Sequence, residues 1–418
     1  YASDFFHRIK NSSAMGINVG EVSIDIQRLQ EWKNNILSTL TKGVDTLCLK
    51  NKIKVIKGNA FFESSSMIKV LLEDGFKNIE FQNAIISTGS LPVELPALKF
   101  DGKVIISSDE ALSLRKIPNE IIIIGGGYIG LELGIVYAKL GSNVTIVEYS
   151  EQLLPGNDKD VVTTLQRKIE RLGMKIYLNS KAEKCEVKND SAIITISSKD
   201  GEKLLNADIV LVAVGRKPNT DSLKLENTKV ERDEDGFIKV DNKLRTTDKK
   251  IFAIGDVANQ PMLAHKASRQ GKVAAEVIAG KESSYDNIVV PAVIFTDPEI
   301  AIAGITENEA RAKEMEIKIG KFPFSALGRT LTVNEKDGFV KIIADKNSDI
   351  VLGITVVGYN ASDLIGEAAL AIEMGATLDD IALTIHAHPT FPESLMEAAE
   401  AAKGNAIHIF GKGVFHDI

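Results

Sequence analysis

Residues 120–130 read EIIIIGGGYIG, and this stretch decides the fold. Its isoleucine run is typical of a fully buried strand, and the glycines that follow turn the chain. Next, LELGIVYAKLG (131–141) has the apolar spacing of a helix, and SNVTIVE (142–148) reads as a second strand. The order strand, glycine turn, helix, strand predicts a βαβ unit, and therefore a parallel sheet covered by helices.

The turn matches the pattern G-x-G-x-x-G through Gly125, Gly127 and Gly130. In such a turn the first glycine permits the bend, the second lets the backbone approach a pyrophosphate, and the third lets the helix pack on the strand. Glu148 ends the second strand, where an acid accepts hydrogen bonds from the adenosine ribose. Because a carboxylate there repels a 2′-phosphate, the sequence predicts NAD rather than NADP. The alternative, a glycine turn needed only for packing, is disfavoured by the complete strand–turn–helix–strand context.

Composition is that of an ordinary globular protein, with 44% hydrophobic and 26% charged residues over 418 positions. The net charge is −7 and basic residues are scattered, so nucleic acid is not an expected partner. No apolar run approaches the roughly 20 residues that span a bilayer, and residues 1–10 carry no signal-peptide core. Two cysteines exclude a disulfide framework and favour a reducing compartment. We therefore expect a cytoplasmic protein without a membrane partner.

Changes in sequence pattern predict an α/β fold with two nucleotide-binding three-layer domains, one inserted into the other, and an α+β C-terminal domain. We expect the first nucleotide-binding domain to begin at 1–117 and to resume at 241–288, around an inserted domain at 118–240. The C-terminal domain is expected at 289–418. Apolar residues within 21–50 recur at helical intervals, which predicts a helix whose packing includes Trp32 and Cys48.

A second cofactor signature is centred on Asp256, which ends the buried strand pattern KIFAIGD (250–256). An acid at the carboxyl end of such a strand can bind a sugar or ribityl hydroxyl, although a Gly-Asp pair alone is a weak signal. Two further stretches strengthen it: AIISTGS, which ends in Ser87, Thr88, Gly89 and Ser90, and VGRKPN, which runs from Val214 to Asn219.

These stretches, together with LAHKA (263–267), FTDPEIAIAG (295–304), DGFVKIIAD (337–345) and HAHPTFPE (386–393), occur in an order that resembles the pyridine nucleotide–disulfide oxidoreductases. The resemblance covers nearly the whole chain and is strongest to the members that oxidise dihydrolipoamide. It implies FAD and NAD as cofactors and a homodimer joined by the C-terminal domain. The implied reaction oxidises a dihydrolipoyl group, free or on a lipoyl domain, to its disulfide while NAD⁺ is reduced. A 2-oxoacid dehydrogenase or glycine-cleavage complex is the implied partner.

The resemblance also assigns cofactor contacts to individual residues. Asp256 would bind the flavin ribityl chain, and Glu132 would lie beside the isoalloxazine. Leu263, Ala264 and His265 would line the flavin, and we do not expect His265 to be a catalyst. The remaining expected contacts are Ala60 at the FAD adenine, Ser87, Thr88 and Gly89 at the flavin, and Gly125, Gly127, Tyr128, Ile129, Gly130, Glu148, Ala182 and Gly215 at NAD. No metal ligand is expected.

The stretch HAHPTFPE carries the expected acid–base chemistry. A dithiol must lose a proton to attack a disulfide, and imidazole is suited to accept that proton near neutral pH. A carboxylate beside the ring can orient it and stabilise its protonated form. The resemblance assigns these roles to His388 and Glu393, in a loop that enters the active site of the other subunit. His386 matches a second histidine of the family whose role is less defined.

The sequence departs from the family pattern in one respect. The family's FAD-binding glycine turn and its C-x-x-x-x-C pair are not among residues 1–418, and Cys48 and Cys185 lie far apart on unrelated elements. From this we expect either that residues 1–418 are an incomplete sequence of the protein or that the chain is nicked. We also expect residues 1–418 alone to hold FAD poorly and to be inactive toward lipoamide.

Other functions of the same fold fit the sequence less well. Mercuric reductase would need a C-terminal cysteine pair, glutathione reductase would need basic residues in place of Glu148, and soluble transhydrogenase lacks the histidine that corresponds to His388. Another NAD(H)-linked disulfide reductase or diaphorase, or an inactive nucleotide-binding or assembly subunit, stays open as an alternative.

Overall fold

The computed structural model describes residues 1–410, so residues 411–418, the end of the expected C-terminal domain, lie outside the described part. The chain divides into two compact units. The first unit comprises Tyr1–Ser23, Glu94–Val214 and the chain from Asn287 onward, and the second comprises Ile24–Val93 and Gly215–Asp286. This division does not test the expected domain boundaries, which stay predictions.

The helices, in chain order, are α1 (Ala2–Lys10), α2 (Ile26–Lys50), α3 (Ser108–Ala111), α4 (Tyr128–Leu140), α5 (Lys159–Arg171), α6 (Ala264–Ile278), α7 (Glu307–Ala312), α8 (Gly328–Thr332), α9 (Ala361–Glu373), α10 (Leu378–Ala382) and α11 (Glu393–Lys403). The strands are β1 (Asn59–Ser64), β2 (Met67–Leu72), β3 (Gly75–Glu80), β4 (Ala84–Ile86), β5 (Ser90–Pro92), β6 (Ile105–Ile106), β7 (Glu120–Ile124), β8 (Asn143–Val147), β9 (Lys175–Tyr177), β10 (Lys181–Lys188), β11 (Ser191–Ser198), β12 (Gly201–Ala207), β13 (Ile209–Val212), β14 (Arg216–Pro218), β15 (Ile251–Ala253), β16 (Ala292–Ile294), β17 (Glu299–Gly304), β18 (Ile317–Pro323), β19 (Phe339–Asp345) and β20 (Val351–Gly358).

The first unit contains a five-stranded parallel sheet in the order β6-β13-β7-β8-β9. The isoleucine run forms β7 at its centre, where both faces of the strand are covered and Ile121 to Ile124 are buried. Helix α4 follows the glycine turn and ends at Gly141, whose left-handed backbone suits glycine. The predicted order of strand, turn, helix and strand is therefore confirmed. The antiparallel strands β10-β11-β12 form a separate sheet in this unit, and they were not predicted as a group.

The C-terminal part of the first unit is built on a five-stranded antiparallel sheet in the order β16-β17-β20-β19-β18. Helices α9 and α11 pack against this sheet, and Phe322, Val340, Ile354, Ala368 and Leu395 lie in their common core. Because β19 and β20 are covered, their central residues are apolar on both faces, apart from a few polar side chains such as Lys341. This packing fixes α9 and α11, and the HAHPTFPE loop runs from the residues after α10 to the start of α11.

The second unit holds small sheets of two or three strands. Strands β1, β2 and β3 form an antiparallel meander, β4 pairs in parallel with β15, and β5 pairs antiparallel with β14. Since β4 and β15 are parallel and paired in register, the stretches that follow them, STGS and GD, begin at the same edge.

Helix α2 forms as predicted, and Asp25 caps its N-terminus by accepting bonds from the amides of Gln27 and Arg28. The prediction for its packing was wrong at Trp32, because no side chain of α2 is buried and Trp32 is exposed. Cys48 is half-buried. Helical periodicity identifies an apolar face, but it does not identify what covers that face.

Within residues 1–410, no helix combines the length and apolar composition needed to cross a bilayer.

A buried ion cluster in the first unit joins the parallel-sheet part to the C-terminal sheet. Lys341 of β19 is 1% exposed, and its Nζ lies 2.7 Å from Asp158, 3.0 Å from Asp160 and 3.2 Å from Glu307. Asp158 also accepts the backbone amide of Asn308 at 2.9 Å. Burial acts to lower the pKa of Lys341, but its hydrogen bonds to the aspartates outweigh burial and raise the pKa above its ordinary value. The lysine is therefore held as a cation.

Lys341→Met should destabilise the protein by about 3–5 kcal/mol, because it leaves the buried Asp158 without its cation. The free energy of unfolding in urea measures the loss. Lys346→Met is the matched control, since Lys346 forms an exposed pair with Glu316 that is expected to contribute about 0–1 kcal/mol. Equal destabilisation by the two substitutions would contradict the cluster's role.

Candidate functional site

The glycine turn after β7 has the steric character that a dinucleotide site requires. Gly125 has φ +107°, and a methyl group there would lie 2.4 Å from the carbonyl oxygen of Ala213. A methyl at Gly130 would lie 2.4 Å from the carbonyl oxygen of Gly125. In contrast, the Cβ position of Gly127 has no heavy atom within 4 Å. The first and third glycines are thus needed for packing, and the second opens a face at the N-terminus of α4.

Glu148 is 7% exposed and holds this turn in place. Its Oε2 accepts the amide of Gly126 at 2.5 Å, and its Oε1 accepts the amide of Ser150 at 2.7 Å. The sequence predicted a ribose contact for this acid but did not reveal that it fixes the glycine turn. A carboxylate has further lone pairs after accepting two bonds, so ribose binding stays a prediction compatible with the geometry.

The other residues expected at NAD lie on elements of the same unit, apart from Gly215, which belongs to the second unit. Tyr128 and Ile129 form the first turn of α4, and Ala182 is buried at the start of β10. Glu132, one turn further along α4, accepts the amide of Phe295 at 2.8 Å. Burial raises the pKa of Glu132 above its ordinary value, and the bond from Phe295 opposes that rise.

The second unit brings the STGS and GD stretches together. Ser90 Oγ donates to Asp256 Oδ2 at 2.7 Å, and Arg216 donates to both the hydroxyl and the carbonyl oxygen of Ser90, at 2.8 and 2.7 Å. Thr88 donates to the carbonyl oxygen of Asn219 at 2.7 Å. Asp256 is half-buried and keeps lone pairs that a ribityl hydroxyl can use.

Two glycines predicted to contact cofactors, Gly89 at the flavin and Gly215 at NAD, have open backbone. Gly89 and Gly215 have positive φ values of +71° and +132°, and a Cβ at either would meet no heavy atom within 4 Å. Ser87 follows β4 directly, whereas Ala60 lies on the separate strand β1, paired with Val70. The expected roles of Ala60, Ser87 and Gly89 toward FAD, and of Gly215 toward NAD, stay predictions.

Helix α6 begins with the remaining predicted flavin residues. Leu263 is its N-cap, Ala264 its first residue, and His265 is exposed on the first turn. The next residue, Lys266, is buried and donates to the carbonyl oxygen and the side-chain oxygen of Asn259, at 2.6 and 2.7 Å. Burial lowers the pKa of Lys266 to about 8, and Asp256 opposes that shift. No local sequence pattern distinguishes Lys266, because only the fold shows that this side chain turns inward.

In the first unit, the HAHPTFPE loop places the predicted acid–base pair in contact. His388 Nδ1 lies 2.8 Å from Glu393 Oε1, and Glu393 Oε2 accepts the amide of Thr390 at 2.6 Å. The His388 side chain is 79% exposed, while that of Glu393 is mostly buried. The Thr390 hydroxyl donates to the carbonyl oxygen of Ala387 at 2.6 Å, which closes the loop on itself. A carboxylate fixed by the backbone therefore orients an accessible imidazole.

Cys48 and Cys185 are both free thiols. Burial raises the pKa of Cys185, with a smaller contribution from Asp101, so its thiolate is disfavoured. Among the described residues, up to 410, no cluster of three or more histidine, cysteine or acidic side chains could hold a metal ion.

The residues present fit both nucleotide cofactors. For NAD, the face at Gly127 is open while Gly125 and Gly130 admit no side chain. For FAD, the half-buried Asp256 is fixed through Ser90 and retains hydrogen-bonding capacity. Each set lies at the carboxyl ends of parallel strands, where nucleotide sites occur in such sheets.

Comparison with known proteins gives family matches over most of the chain. Residues 7–271 match the model described as pyridine nucleotide-disulphide oxidoreductase, and residues 290–399 match the dimerisation domain of that family. A dihydrolipoyl dehydrogenase of Geobacillus stearothermophilus is 44% identical over 411 residues, which is 98% of this chain and 87% of that protein.

Solved structures show the same fold. LpdA from Mycobacterium tuberculosis superimposes with a TM-score of 0.88 at 25% identity, covering 96% of this chain and 87% of that one. The HOCl-induced flavoprotein disulfide reductase RclA from Escherichia coli gives a TM-score of 0.83 at 26% identity, covering 94% of this chain and 88% of that one. The expected architecture, two α/β domains with a C-terminal dimerisation domain, is confirmed.

Glu148→Gln combined with Tyr149→Arg should raise the ratio of kcat/KM for NADP⁺ to that for NAD⁺ by about tenfold or more, because a repulsive charge is replaced by a cation. Glutamine keeps one oxygen for the Gly126 amide, which holds the glycine turn, and loses the acceptor for the Ser150 amide; Tyr149 is exposed. Tyr149→Arg alone is the control. An unchanged ratio in the double variant would refute the ribose assignment.

Lys266 should make stability depend on pH in the alkaline range. Its pKa is about 8 in the folded protein against an ordinary 10.5, so between these values the unfolded chain binds more protons. The free energy of unfolding of the wild-type protein, minus that of Lys266→Met, should therefore rise between about pH 8 and pH 10.5, by up to about 1.4 kcal/mol per pH unit. Urea unfolding at several pH values measures it, with the exposed Lys272→Met as control. A difference that falls or stays flat across the window would contradict the buried-lysine account.

Proposed function

The chain belongs to the pyridine nucleotide–disulphide oxidoreductase family, and from that premise we propose that the full-length protein oxidises dihydrolipoyl groups to the cyclic disulfide while NAD⁺ is reduced to NADH. Bound FAD supplies a two-electron carrier between the dithiol and the nicotinamide. The overall change removes two protons and two electrons from the dithiol. NAD⁺ takes up one hydride, and one proton remains for the protein to receive.

The observation that carries this proposal is the His388–Glu393 contact at 2.8 Å. The carboxylate is a hydrogen-bond acceptor, so the neutral ring donates from Nδ1 and leaves the Nε2 lone pair for an incoming proton. Since the ring is largely exposed, a thiol outside the loop can reach Nε2. His388 then receives the thiol proton, and Glu393 stabilises the imidazolium that results.

The same family membership supports a homodimer, because residues 290–399 match its dimerisation domain. In that assembly, we propose, the His388 loop of one protomer serves the site of the other. The substrate class is a dihydrolipoyl group, free or attached to a lipoyl domain. A 2-oxoacid dehydrogenase or glycine-cleavage complex would supply it, and the free cysteines fit a cytoplasmic location.

A second candidate function is the NADH-dependent reduction of another disulfide substrate. It is supported by the likeness to the E. coli flavoprotein disulfide reductase, which extends over 94% of this chain. The two functions differ in substrate. Dihydrolipoamide-dependent NADH formation favours the first, and NADH-dependent reduction of a different disulfide, without turnover of dihydrolipoamide, favours the second.

His388→Gln should slow dihydrolipoamide oxidation by about a hundredfold to ten-thousandfold, the usual range for a lost general base. NADH-to-dye diaphorase activity should be spared, because it requires no proton transfer from a thiol. Both rates are measured on the same FAD-loaded protein. His408→Gln is a matched control, since His408 is also an exposed ring bonded to a glutamate, Glu397, on α11. Equal loss of the two activities in His388→Gln would contradict the base role.

A further inference from the structure

His386 and His388 are separated by one alanine, but the structure places their side chains in different environments. In an extended segment, side chains two positions apart point to the same face. Here the chain turns at Pro389, directly after His388, and the two rings differ in exposure. The His386 side chain is 6% exposed, whereas that of His388 is 79% exposed. One ring is therefore enclosed by the protein, and the other is presented to a reactant.

The enclosed ring is bonded at both nitrogens. His386 Nδ1 lies 2.8 Å from the carbonyl oxygen of Thr384, and Nε2 lies 2.8 Å from Oε1 of Glu367 on α9. A carbonyl oxygen accepts hydrogen bonds and cannot donate, and the same holds for an ionised carboxylate. A neutral imidazole carries one donor nitrogen and one acceptor nitrogen. Both contacts are hydrogen bonds at once only when both ring nitrogens carry protons and the ring is a cation.

This arrangement makes His386 unsuited to be a base, because its ring has no lone pair left for a proton. It also forms a charge-assisted pair, which is a stronger and shorter kind of hydrogen bond than a neutral one. The chain thus places a fixed cation two residues before the accessible imidazole of His388.

The bond from His386 also holds one end of the loop. Glu367 lies on α9, and Glu393 is the first residue of α11, both of which pack on the C-terminal sheet. His386 ties the start of the loop to α9, and Glu393 ties His388 and Thr390 to α11. If the bond to Glu367 is removed, the start of the loop loses its contact with α9 and keeps the bond from the Thr390 hydroxyl to the Ala387 carbonyl oxygen, so the His388 ring can shift relative to a substrate.

We propose that His386 is the positioning residue for His388: its ring, held as a cation between the Thr384 carbonyl and the Glu367 carboxylate, anchors the loop to α9 and so fixes His388 Nε2. The inference rests on the proposed function in that His388 is the base whose position matters. It assigns no proton transfer to His386 itself.

Protonation of the ring is tested without any activity measurement. The chain has six histidines, so ¹⁵N-histidine labelling of the FAD-loaded protein gives few ring resonances, and His386→Gln identifies those of His386. We expect both His386 nitrogens to be protonated at neutral pH in the wild-type protein. A resonance pattern of a neutral tautomer at that pH would overturn the proposal.

The positioning role is tested by substitutions on both sides of the bond. His386→Gln and Glu367→Ala should each lower kcat for dihydrolipoamide oxidation by about tenfold to a hundredfold, as expected for a displaced catalytic group. The KM and the diaphorase rate should change little. The double variant should lose no more than either single one, because both changes remove the same contact.

Glu367→Gln separates the effect of the hydrogen bond between residues 367 and 386 from the effect of the positive charge on the His386 ring. The glutamine amide can donate to Nε2 of a neutral His386, so the contact survives without the cation, and kcat should fall less than in Glu367→Ala. Glu373→Gln on the same helix, which changes a carboxylate bonded to Asn287, is the matched control and should leave all rates unchanged. Additive losses in the double variant, or a diaphorase rate that falls in parallel, would overturn the positioning role. A wild-type protein that does not oxidise dihydrolipoamide would refute the proposed function, while the ¹⁵N result would still decide the state of His386.

Discussion

The carboxylate of Glu393 is the point on which the candidate chemistry depends. It accepts one bond from the ring of His388 and one from the amide of Thr390, at 2.8 and 2.6 Å. Glu393 is the first residue of α11, and α11 packs on the C-terminal sheet. The position of the His388 ring is therefore fixed relative to that sheet. A base on a loop becomes precise only when its supporting bonds lead to such an element.

Much of the fold could be predicted from the sequence, because local patterns report it. The isoleucines of β7 and the three glycines of the turn specify a buried strand and a sharp bend through side-chain volume alone. The contact between His388 and Glu393 was expected from the family resemblance of HAHPTFPE, in which five positions separate the two residues. In each case the information lies within a short stretch of chain.

The remainder depends on contacts between distant residues, which no local pattern reports. Trp32 shows helical spacing, yet what covers a helix is set by other elements, and this residue is exposed. Glu148 reaches the amide of Gly126, Lys266 turns inward onto Asn259, and His386 bonds Glu367 on another helix. These buried polar groups are partnered, as buried charge requires. Their partners become visible only once the chain is folded.

The most direct test of the central claim is a crystal structure of the FAD-loaded protein with dihydrolipoamide bound. A proton can pass to His388 only from a sulfur within reach of Nε2, so the account predicts a substrate sulfur about 3–3.5 Å from that atom. The ring should retain its bond from Nδ1 to Glu393. A substrate bound with both sulfurs remote from every copy of His388, or a ring turned away from Glu393, would contradict the claim.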